Sequence, residues 1–332
     1  MVHRVLAVIG VLAALAVSLA AQAGGAQGQG AQGQGGPGGP GGRGRGGPPP
    51  PPAEPRLAWT ITSDLQAPES AYFDYDSNAV FVANINGQVT AKDGNGYISK
   101  LTPDGRMVKA QWVTGLNGPK GMRSVKGVLW VADIDEVVGI DIFRETVVER
   151  VKVEGATFLN DLAAAPDGTI YTTDSTAGRV YMVKDGKSSV FAEGGDLQAP
   201  NGILVDGQRL IVGTIGAGFG RGRGAAPAAG QAPPPGGKLL VFDRTTKQQS
   251  ELTKDPVGGI DGIERDGNGG YLVTDVLGSR LFYVRPDGTT RDLIKFEAAG
   301  ADIGYVAWKR QVVVPFLAAN SVSGYDLTGV IP

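Results

Sequence analysis

Six polar residues precede short apolar runs at a nearly constant interval: Glu69, Lys120, Asn160, Asn201, Asp261 and Asp302. The steps between them are 51, 40, 41, 60 and 41 residues, and the step of 60 contains a low-complexity insertion. The underlying period is therefore about forty, a spacing typical of propellers or solenoids. If the repeats close into a ring, all six side chains face one axis. Three carboxylates, two amides and one ammonium would then meet. Carboxylates brought together without compensation repel one another and hold their protons more tightly. A divalent cation relieves that repulsion, and Glu, Asp and Asn oxygens are suitable hard ligands. Lys120 supplies part of the compensation without a metal.

What is missing narrows the chemistry further. There is no cysteine, and the single histidine is His3, near the N-terminus. A chain processed after that residue has no Ser-His-Asp or Cys-His mechanism and no histidine or cysteine metal ligand. The formal net charge is −2, which argues against a nucleic-acid partner.

The elements that must position the six residues read as short strands. In the third repeat, Asn160 leads into Asp161–Ala165, then the turn Pro166-Asp167-Gly168 and a strand at 169–173. Strands at 179–183 and 188–192 follow, joined by Lys184-Asp185-Gly186. Asp-Gly turns between alternating runs are hairpin chemistry, so the repeat reads as a four-stranded antiparallel meander. The other repeats fit the same frame, with second strands at 80–83, 128–132, 209–212 and 270–274. Those strands, with that of the third repeat, end on Asn84, Asp133, Asp174, Thr214 and Asp275, and the recurring Asp133, Asp174 and Asp275 read as caps of loops. Trp112, Trp130 and Trp308 read as packing residues within strands.

The sixth repeat offers strands at 305–308, 311–316 and 321–327 and lacks a fourth. A spare strand at 57–62 precedes the first repeat and completes it, which removes an exposed sheet edge. The expected fold is an all-β, six-bladed β-propeller with four-stranded blades, its last blade closed by the N-terminal strand.

Residues 1–23 have a basic start, an apolar run and an Ala-Gln-Ala cleavage site, the pattern of a signal peptide. No other stretch is apolar enough to span a membrane, so a periplasmic or secreted protein is expected. Residues 24–55 are rich in Gly, Gln and Pro and read as a disordered tether. Residues 216–237 repeat that composition and read as a disordered insertion in the fourth blade. Residues 56–332 hold the propeller.

In its motifs the chain resembles the SMP-30/gluconolactonase/LRE-like family of six-bladed propellers over about residues 64–326. The resemblance rests on Pro68-Glu69, Phe158-Leu159-Asn160-Asp161 with Pro166-Asp167-Gly168, Pro200-Asn201-Gly202 and Ile260-Asp261-Gly262. It implies one divalent metal ion held by Glu69, Asn201 and Asp261, with calcium expected first and magnesium, manganese or zinc as alternatives. It also implies a lactonase acting on a small-molecule lactone or ester, with Asn160 holding substrate. Asp261 could serve as general base. Lys120 and Asp302 depart from the family pattern. Lys120 could stabilise an oxyanion or stand in the metal's place, and Asp302 could touch substrate or pair with Lys120. A non-catalytic binding propeller of the NHL type is the competing reading. Asn-Gly and Asp-Gly as simple turn residues are the plainest alternative for the ring.

Overall fold

Two-residue hairpins set the strand rhythm. Asp185 and Gly186 both adopt positive φ (50° and 70°) and join strands in which Lys184 faces Lys187. Lys126 and Gly127 (55° and 77°) do the same between Val125 and Val128. Positive φ at both central positions matches the right-handed twist of the flanking strands.

The computed structural model describes residues 53–219 and 236–332. The expected signal peptide, most of the tether and the centre of the 216–237 insertion lie outside them. The described strands form six four-stranded antiparallel sheets. The fold is a six-bladed β-propeller.

In chain order the innermost strands are Pro68–Asp74, Pro119–Val125, Leu159–Ala164, Pro200–Asp206, Ile260–Arg265 and Gly304–Val306. Blades 1 to 5 continue outward in sequence order. Blade 6 runs outward through Gln311–Phe316 and Ser321–Asp326 and ends on the N-terminal strand Arg56–Ile61. That strand pairs antiparallel with Ser321–Asp326, so the two ends of the domain close the ring as expected. The Trp59 ring seals the seam. Its indole N–H donates to Gln311 Oε1 at 3.2 Å. A Cβ at Gly105 or Gly324 would stand 2.3 or 2.4 Å from Trp59 ring atoms, so both glycines are required.

Packing explains why the blades cohere. Six apolar clusters account for the core, and each lies between two neighbouring blades. Phe81, Ile98 and Trp112 of blade 1 meet Met122, Leu129 and Val131 of blade 2, for example. Blade 6 meets blade 1 through Val306, Val313 and Val322 against Ala71, Phe73 and Val80. Outermost strands are largely exposed, as the run Gln249–Glu251 illustrates.

Two expectations are corrected. The first strand of the sixth repeat ends at Val306, and residues Ala307–Lys309 form a single 3-10 turn. Trp308 sits on that turn at 63% exposure and packs in no core. Trp112 is buried, as expected. The flanks of the 216–237 segment are hydrogen-bonded: Gly216–Gly218 form a 3-10 turn, and Gly237 bridges Gly258.

Candidate functional site: the polar ring at one channel mouth

Each ring residue of blades 1 to 5 is the second residue of its innermost strand, and Asp302 lies two residues before the sixth. The six strands surround the central channel and run in one direction, as the parallel bridge between Ser70 and Asp302 shows at the seam. The five side chains of blades 1 to 5 therefore stand at the same channel mouth, whereas Asp302 lies one place further along, level with Ser70 and Asp161. Ile303 takes the core place that Met122, Leu162, Ile203 and Ile263 take in their blades. All six ring residues are buried, at 0–5% exposure.

A shared irregularity aims them. In blades 1 to 5 the pairing of innermost and second strands slips at the ring residue, as between Pro119 and Met122 or Ile260 and Ile263. A bulge adds one residue and resets which side chains face which way. Met122, Leu162, Ile203 and Ile263, two places after their ring residues, consequently belong to the inter-blade core.

The glycines after the ring residues are not turn residues. A Cβ on Gly202 would lie 1.9 Å from Asp261 O, and one on Gly121 would lie 2.1 Å from Asp161 Oδ1. They are required because adjacent innermost strands approach so closely around the channel. The plain turn reading of Asn-Gly and Asp-Gly is overturned.

The second-strand closers hold the loops that deliver the ring residues. Asp133 accepts from the backbone N–H of Asn117 and Gly118, at 2.9 and 2.7 Å, just before Lys120. Asp174 accepts from Thr157 and Phe158, before Asn160. Asp275 accepts from Gly259, before Asp261, and Asn84 accepts from Gln66, before Glu69. These buried carboxylates and amide satisfy loop N–H groups that would otherwise be orphaned. The capping role expected of Asp133, Asp174 and Asp275 stands, and Asn84 shares it.

The ring members differ in their partners. Asn160 Nδ2 donates to Ser175 Oγ at 3.1 Å, and that hydroxyl donates to Pro200 O. The amide orientation is thereby fixed. Asn201 Oδ1 is buried and makes no hydrogen bond among the described residues. Lys120 Nζ donates to Gly118 O at 2.9 Å and lies 4.7 Å from the centre of the Phe158 ring. Burial lowers its pKa, against the pull of Glu69 and Asp133. Asp302 does not pair with Lys120. Ser70 Oγ donates to its Oδ2 at 2.6 Å, and Arg123 lies 3.7 Å from the same oxygen. Burial raises the Asp302 pKa, with Arg123 and Ser70 opposing.

Arg123 was not visible in the sequence as a ring partner. It starts in blade 2 and crosses the channel. Its guanidinium donates to Met122 O and to Ile263 O, and it pairs with Glu264 of blade 5 at 3.4 Å. Buried Asp161 joins this layer. It accepts from Leu162 N and from Ile203 N of the next blade. Burial and the nearby Asp302 raise its pKa well above the carboxylate range. The missed feature was the bulge of blade 2, which sends Met122 into the core and leaves Arg123 in the channel.

Glu69, Asn201 and Asp261 suit a hard cation in donor type, and the buried Asn201 oxygen is the structural feature that fits one. Among the described residues no three Asp, Glu, His or Cys side chains form a metal-ligating group. The expected set of two carboxylates and one amide is a different kind of group.

No family model matches this chain, and no curated protein is similar to it in sequence. Solved structures are similar in fold. A gluconolactonase from Xanthomonas campestris superposes with a TM-score of 0.56 at 16% identity, covering 84% of this chain and 97% of that one. An inactive histidine-to-alanine variant of virginiamycin B lyase from Staphylococcus aureus, with quinupristin, gives 0.52 at 11% identity, covering 82% and 100%. The nidogen/laminin complex gives 0.50 at 16% identity, covering 68% and 88%. At these identities the likeness concerns the fold alone.

Proposed function

We propose that the protein is an exported, SMP-30/gluconolactonase-like hydrolase of a lactone or similar small ester, working with one divalent ion, calcium first. The observation that carries this reading is the buried ring at one channel mouth, with the Asn201 carbonyl oxygen unsatisfied by any described residue. The gluconolactonase likeness in fold supports it. The lyase likeness supports it less. That enzyme is inactive in a histidine-to-alanine variant, and this chain has no histidine beyond His3.

Glu69, Asn201 and Asp261 would hold the ion, which when bound supplies carbonyl polarisation and a more acidic water. Asp261 would take the proton as general base. Asn160, its Nδ2 occupied by Ser175, would present its carbonyl oxygen to a substrate hydroxyl. The charge of Lys120, fixed beside Gly118 and Phe158, would favour negative charge developing near Glu69. Asp302, tied to Ser70 and Arg123, would shape the wall against which substrate rests.

The test combines metal content, melting temperature and a lactone panel with and without chelator. At a hundredfold excess over Kd, calcium should raise Tm by about 5–10 °C. Asp261→Ala should remove that shift and the activity. The second reading is a non-catalytic binding propeller. The buried Lys120 ammonium within the ring favours it, because a fixed cation can replace a metal. Absence of any shift with calcium, magnesium, manganese or zinc would decide for the binder.

A further inference from the structure

The channel has a second mouth, and it is built differently. Three places after each ring residue stand Tyr72, Arg123, Ala163, Leu204, Glu264 and Tyr305, and all six line one cavity of ≈ 480 Å³. None of the ring residues lines it. At about 3.3 Å per strand residue, its floor lies about 10 Å along the channel from the ring. The Arg123 side chain separates the two, since it spans from blade 2 to Ile263 and Glu264 of blade 5 and Asp302 of blade 6.

The lining has two properties that select a ligand. Its lining charges are balanced two against two: Arg123 pairs with Glu264 at 3.4 Å and also reaches Asp302, and Arg265 pairs with Asp206 at 3.3 Å, a carboxylate shared with Arg209. The groups still offer donors and acceptors, but no net charge to attract an ion. Its walls and rim are aromatic. Tyr72 and Tyr305 stand inside, while Tyr75 at the lip is 60% exposed. Large aromatic rings left in water beside a cavity mark a binding surface. Gly267 and Gly269 carry positive φ (87° and 92°) in the adjoining turn and leave the lip without side chains there.

We propose that this mouth is a second binding site, for a neutral saccharide. Sugar hydroxyls both donate and accept, matching paired Arg and carboxylate groups, and the C–H faces of a pyranose stack on tyrosine. An anion would have to break the existing ion pairs, and a purely apolar ligand would leave them unsolvated.

The test is calorimetric titration of the full chain with maltotriose, cellotriose and chitotriose, alongside gluconate as an anion and p-cresol as an uncharged aromatic. At least one saccharide should bind saturably. Tyr75→Ala, at an exposed position, should weaken it fivefold or more, while Asp261→Ala leaves it within twofold. The idea is overturned if no trisaccharide binds, if only gluconate or p-cresol binds, or if the Asp261 variant loses binding that the Tyr75 variant keeps. Neither a metal nor a lactone enters the measurement, so it succeeds or fails independently of the hydrolase reading.

Discussion

Arg123 is the residue on which the channel interior depends. It is the cation facing buried Asp302 and half-buried Glu264, and it lies close to buried Asp161. Replacing it by Met should cost about 3–5 kcal/mol, because the cost of an uncompensated buried charge exceeds that of a lost pair. A urea titration reads this directly, and adding Glu264→Gln should recover part of the loss. Glu264 also titrates in a useful range. Burial raises its pKa to about 7 from 4.5. A carboxyl raised in the folded state binds its proton more tightly there than in the unfolded chain. Its contribution is therefore full below pH about 4.5 and is lost as the pH rises through about 7. Glu264→Gln should flatten the fall in stability across that window, by at most about 3 kcal/mol. An unchanged pH profile in that variant would refute the assignment.

At the scale of elements, the bulged innermost strand is the working unit. The bulge turns the ring residue to the axis, a glycine lets the next strand approach, and a second-strand carboxylate fixes the entry loop. Gly202→Ala should therefore disturb Asp261, whose carbonyl a new Cβ would meet at 1.9 Å. The expected loss is about 2–3 kcal/mol together with any activity at the ring, measured as melting temperature and lactone turnover. Asp275→Asn should weaken the loop before Asp261 less, since an amide still accepts from Gly259 N. The repeating frame was legible because hairpin turns and polar-then-apolar starts are local signals. The bulge was not legible. Nothing in Lys120-Gly121-Met122-Arg123 announces that Met122 enters the core and Arg123 the channel; that follows only when the strand pairs with Val128–Asp133.

For the whole molecule, closure is the cooperative step. The strand Arg56–Ile61 completes blade 6, and Trp59 packs across Gly105 and Gly324 at the seam. Trp59→Ala should lower stability by about 2–3 kcal/mol, less than a fully buried tryptophan, because the ring is half-buried. Thermal unfolding should remain a single transition in the wild type, since each apolar cluster joins two blades and no blade has a core of its own. A separate early transition in the wild type would contradict this account of closure. Arg123 lies along the channel between the polar ring and the aromatic cavity. The polar ring and the aromatic mouth can thus take different ligands.

The sequence alone determined the period of about forty, the four-strand repeat and the pairing of chain ends. These depend on local turn chemistry and on counting, which need no coordinates. The tertiary structure alone decided the partners. Asp302 faces Ser70 and Arg123 rather than Lys120, and Lys120 turns to Gly118 and Phe158. Trp308 lies in solvent instead of the core. Such contacts join residues from different blades or hang on a single strand's end, so they are fixed by ring closure and bulge geometry, neither of which a linear pattern encodes.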